Sequence, residues 1–84
     1  MSQVRYKTFG IVNREVITDP SLSKNAKVIY TLICCYCGNK STCYPSNGTI
    51  ADSLNIGVRT VIRGIKELKD AKIIERKGRF FKLI

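Results

Sequence analysis

The stretch that most constrains this chain is VRTVIRGIKELKD, residues 58–70, which reads as a helix with one apolar stripe and a charged opposite side. At about 100° per residue, Val58, Val61, Ile65 and Leu68 fall on one stripe with Ile62 at its edge. Arg59, Arg63, Lys66 and Asp70 gather within about 60° of one another on the far side. A helix of this kind must bury its stripe against other elements. Its cationic side is ambiguous taken alone, because any solvated helix face shows the same pattern. The neighbouring segments carry the decision.

Immediately before it, PSNGTIADSLN offers Ser46 as the N-cap of a short helix over 47–54, with Ile50, Ala51 and Leu54 pointing inward. The tripeptide NIG then interrupts the helical pattern. Further upstream, PSLSKNAKVIYTLICCYCGNK has Ser23 as an N-cap, apolar residues at 22, 26, 29, 33 and 36, and Gly38-Asn39 as a stop, predicting a helix over 24–37. Lys24, Lys27 and Thr31 occupy its polar side. Val28, Cys34 and Cys35 nevertheless make its C-terminal half apolar nearly all round, so it needs cover on more than one side. Either the N-terminal segment YKTFGIVNREVITD, within residues 1–20, packs over it or a second copy of the chain does. After the opening stretch, KIIERKGRFFKLI (residues 73–84) places β-branched and aromatic residues on either side of a Lys77-Gly78 turn, the signature of a tight hairpin.

Several function classes are disfavoured by what is missing. At 84 residues the chain is one domain near the lower size for a single core, which argues against a large active-site cleft. There is no histidine, no close pair of acids and no glycine-rich phosphate loop, so no usual catalytic arrangement can be assembled and an enzyme is not expected. Cys34 and Cys37 form a C-x-x-C, yet Cys35 and Cys43 supply no second pair at a matching interval. The four thiols therefore read as small buried or half-buried hydrophobes, with no metal and no cofactor expected. The longest apolar run, VIYTLICCYC, is too short to span a membrane, and the N-terminus lacks a signal-peptide core. These features predict a cytoplasmic protein with reduced cysteines.

Charge gives the positive signal. Fifteen Lys and Arg against six Asp and Glu leave a net +9, and residues 57–84 hold nine basic against three acidic residues, a net of +6. A basic C-terminal third is the footprint expected of a polyanion binder. Helix, helix, helix and hairpin is the order of a winged helix-turn-helix domain, mainly α with a two- to three-stranded wing, whose third helix enters the major groove by its N-terminal half.

VITDP, LSKNAKVIYTLI and TCYPSNGTIADSLNIGVRTVIRGIKELKDAKIIE together resemble the winged helix-turn-helix domains of plasmid and phage replication initiators and related phage regulators. The likeness runs from about Phe9 to Glu75. It implies a recognition helix over 58–71 and double-stranded DNA as the partner, in replication initiation or transcriptional regulation. Resemblance and wheel together assign Arg59, Thr60 and Arg63 to base edges, arginine suiting bidentate contact with guanine. Lys66 and Lys69 are assigned to phosphates, as are Ser46, Asn47 and Thr49 at the start of the short helix. Arg76, Lys77, Arg79 and Lys82 decorate a short wing and are assigned to phosphates too. Tyr6, Phe9, Tyr30, Tyr36, Phe80 and Phe81 are expected in core or edge packing. Two positions depart from the family pattern. Gly57 stands where a serine N-cap is usual, and Lys72 stands where glycine usually follows the recognition helix, so Lys72 must turn left-handed or the helix must end differently.

Two further readings stay open. A winged helix can bind a homodimer mate or another protein partner, here through the apolar face near Val28, Cys34 and Cys35. A third reading makes the chain the N-terminal domain of a longer initiator, because RFFKLI ends on a strand.

Overall fold

The computed structural model describes residues 12–38, 40, 42–78 and 80–84. Tyr6, Phe9 and Arg79 lie outside them. Among the described residues the elements are α1 (Arg14–Ile17), α2 (Lys24–Cys37), β1 (Thr42–Cys43), α3 (Asn47–Leu54), α4 (Val58–Asp70), β2 (Ile74–Lys77) and β3 (Phe80–Leu83).

The single turn of α1 was not foreseen in the sequence. Asn13 caps it by accepting the Glu15 amide at 2.8 Å, and the Asn13 amide donates in turn to the Tyr30 hydroxyl of α2 at 3.3 Å. Val12, Val16 and Ile17 are half-buried and pack against the core.

Ser23 caps α2, its hydroxyl oxygen accepting the Ala26 amide, and Gly38 closes the helix at φ 59°. The buried stripe of α2 runs through Ala26, Ile29, Tyr30, Ile33, Cys34 and Cys37. Tyr36, expected in packing, is instead 44% exposed, because the repeat continues from Ile33 to Cys37; its hydroxyl meets Ser53 Oγ at 3.3 Å. Cys34 corrects the partner-surface reading. It follows Ala26 and Tyr30 in the same i, i+4 row and is fully buried, so it cannot join Val28 and Cys35 in a patch offered to another protein.

The core gathers Ile29, Ile33 and Cys34 of α2, Ile50 of α3, Val61 and Leu68 of α4, and Ile74 and Phe81 of the sheet. Contact between α2 and α4 is close at Gly64, where an added Cβ would collide with Ile29 Cδ1 and touch the Ala26 backbone. That approach sets the roll of α4. Its buried arc runs through Gly64, Leu68, Val61 and Ile65, about 100° wide, and Val58 lies just beyond it at 45% exposure. Assigning Val58 to the stripe was wrong because glycine was not counted among the residues that make the contact.

Both α3 and α4 end in the same way. Asn55 (φ 57°) and Lys72 (φ 61°) turn left-handed, and in each case the following amide, Ile56 or Ile73, reaches back to the Ala51 or Leu68 carbonyl at 3.0 Å. This is the paired-bond closure that normally uses glycine. Lys72 thus takes the left-handed of its two expected routes.

The sheet is antiparallel with order β1-β3-β2. Lys77 pairs with Phe80, so the connection is the dipeptide 78–79 and not Lys77-Gly78 as expected; Gly78, at φ 60°, supplies the left-handed backbone. Three packed helices and a three-stranded wing make the winged helix-turn-helix architecture.

Candidate nucleic-acid interface

The interface is built on α4, held by its buried arc and joined to α3 through the three residues 55–57. Gly57 is the N-cap, in extended conformation and without a side-chain hydrogen bond. Beyond the buried arc, an ideal wheel places Val58, Lys69, Ile62, Lys66, Arg59, Asp70 and Arg63 in turn over about 140°. All seven are exposed. Thr60 falls outside this sector, beyond Glu67, and is half-buried, so the fold does not bring it together with Arg59 and Arg63.

Glu67 owes its orientation to α2. Its carboxylate accepts the Ser23 amide at 3.0 Å and the Ser23 hydroxyl at 2.8 Å, so a residue 44 positions away completes the cap of α2. A capping box normally draws that glutamate from the same helix. Those two donors, the amide first, hold the Glu67 carboxyl below its ordinary value. The acid is thereby engaged away from the cationic sector. Asp70 remains, paired with Lys66 at 3.3 Å by side chains that are both largely exposed, a contact of little energetic weight.

The wing contributes cations from both of its faces. Side chains alternate along a strand, and paired residues share a face. Ile74, Arg76, Phe81, Leu83 and Cys43 therefore point toward the helices, while Glu75, Lys77, Phe80, Lys82 and Thr42 point outward. Arg76 lies with its guanidinium 4.6 Å from the centroid of the Phe81 ring and donates to Asn47 Oδ1 at 2.8 Å. Asn47, Lys66, Lys69 and Arg76 then line one groove of about 390 Å³ together with Ile62, Ile65 and Asp70. Lys77 and Lys82 belong to the outer face, beside the Tyr44–Phe80 aromatic pair at 6.0 Å between ring centroids. Arg79 is not among the described residues.

Ser46 and Thr49 act first as a cap. Ser46 Oγ accepts the Thr49 amide at 3.0 Å and sits 2.9 Å from the Thr49 hydroxyl, so the Thr49 amide is already engaged. Of the residues assigned to phosphates, four thus converge on the groove, two cap α3 at its margin, and two stand on the far face of the wing. The Asn47–Arg76 contact was missed in the sequence, where nothing links positions 29 apart. The exposure of Val58 and Ile62 was missed as well, although two β-branched residues bordering a cationic face were a usable signal.

Among the described residues no group of acids and thiols could hold a metal ion, and no helix is long and apolar enough to cross a membrane. A family model described as a helix-turn-helix domain matches residues 21–74, well over half the chain. No curated protein and no solved structure matches.

Proposed function

The chain belongs to the helix-turn-helix domain family, and from that premise we propose that it binds double-stranded DNA in a sequence-dependent way, with α4 in the major groove. The observation that carries the reading is the convergence of Lys66 and Lys69 of α4 with Arg76 of the wing around one groove, beside the exposed Arg59 and Arg63. Arg59 and Arg63 read base edges. Lys66, Lys69 and Arg76 meet phosphates, and Asn47 holds Arg76 in place. Thr60 contributes at the border of the contact. Lys77, Lys82 and Arg79 add phosphate contacts where the duplex passes the wing. The resemblance to plasmid and phage initiators and regulators supports a role in replication initiation or transcriptional regulation, in the cytoplasm of a bacterial or phage-infected cell.

A salt titration of affinity for duplex DNA tests the reading. With about five phosphates neutralised, log affinity should fall against log salt with a slope of roughly −4 to −5. A flat response would sink it.

A further inference from the structure

Resting on this duplex-binding reading, we propose that Val58 and Ile62 are specificity residues that read the 5-methyl groups of thymine. Both are β-branched, and they are 45% and 50% exposed. They stand four residues apart on α4, just past the buried arc, with Lys69 between them on the wheel and Lys66 and Arg59 beside them. Neither belongs to the buried core or to the half-buried hydrophobics packed against it. A cationic surround does not suit an apolar protein groove, but it suits a polyanion that carries apolar spots on its surface.

Duplex DNA is such a polyanion. In its major groove the thymine methyl is the apolar group at the base edges, and aliphatic side chains contact it. Four residues of helix rise about 6 Å, close to two base-pair steps of about 3.4 Å. Val58 and Ile62 therefore match thymine methyls about two base pairs apart, next to the bases met by Arg59 and Arg63. Ile62 also lines the groove that holds Lys66, Lys69 and Arg76, so a phosphate bound there fixes the distance between Ile62 and the base edge.

The test begins by selecting bound sequences from a random duplex library with the full chain. Each thymine of the selected site is then replaced in turn by deoxyuridine, which removes the methyl and keeps the base pair. One or two positions should lose about fourfold in affinity, the worth of one buried methyl group. Ile62→Ala should abolish the difference at one position, and Val58→Ala at another about two base pairs away. Circular dichroism should show both variants folded. A selected site indifferent to uracil at every thymine overturns the thymine reading and leaves duplex binding standing, as does uracil sensitivity that persists in both variants. Failure to retain any duplex overturns both.

Discussion

The Arg76 guanidinium is held on two sides, by Asn47 Oδ1 at 2.8 Å and by the Phe81 ring at 4.6 Å. A side chain fixed beforehand loses less freedom on meeting a phosphate. Replacing Arg76 with Ala should weaken binding to all duplexes about fivefold, the worth of roughly 1 kcal/mol, and reduce the magnitude of the salt slope by about 1. Asn47→Ala should cost less, and the double variant no more than Arg76→Ala, because Asn47 acts through Arg76. Fluorescence anisotropy across a salt series reads all three. Additive losses would make Asn47 an independent contact. At this scale the sequence disclosed charge but not company: that residue 76 is a cation was plain, whereas its pairing with Asn47 depends on how the wing folds back onto α3. Which apolar side of α2 is covered was hidden for the same reason, since periodicity within the helix does not decide between the Cys34 side and the Val28 side.

The order of the three longer helices and the hairpin was legible because most of their boundaries have a local cause. Ser23 and Ser46 announce helix starts, and Gly38 and Gly78 supply left-handed backbone where the chain turns. What stayed hidden was how the elements roll against one another. Gly64 carries no hydrophobic signal, yet it admits the Ile29 side chain and so turns Val58 and Ile62 outward. Gly64→Ala should therefore destabilise the domain by about 1 kcal/mol, overpacking of about 1 to 3 kcal/mol outweighing the gain of up to about 1 kcal/mol in helix propensity. Denaturant titration measures it, and a more stable variant would show that α2 and α4 can separate without cost. The hairpin teaches a related lesson. Moving the turn by one residue exchanges the faces of a strand, so an error of one position in the sequence reading decides which wing cations face the helices.

Among the described residues, α4 is held against α2 at Gly64 and by the cap shared by Ser23 and Glu67, and its opposite side is exposed. The shared cap makes that arrangement sensitive to acid. Hydrogen bonding holds the folded Glu67 carboxyl below its unfolded value of 4.5, so its stabilisation is fully present above that pH and is lost as pH falls through the folded value. The melting temperature of the native chain should thus fall more steeply as pH drops below 4.5 than that of Glu67→Gln, which lacks the titrating group. Parallel curves would show that the Ser23 contact contributes nothing. The buried cysteines have a consequence of a different kind. Cys34, Cys37 and Cys43 are shut in the core, and desolvation pushes the thiols of Cys34 and Cys43 upward, whereas Cys35 is half-exposed. A thiol reagent reaches Cys35 directly, but it reaches the other three only when the core opens. The chain therefore carries its own stopwatch for breathing, and a ligand that favours the closed form slows it.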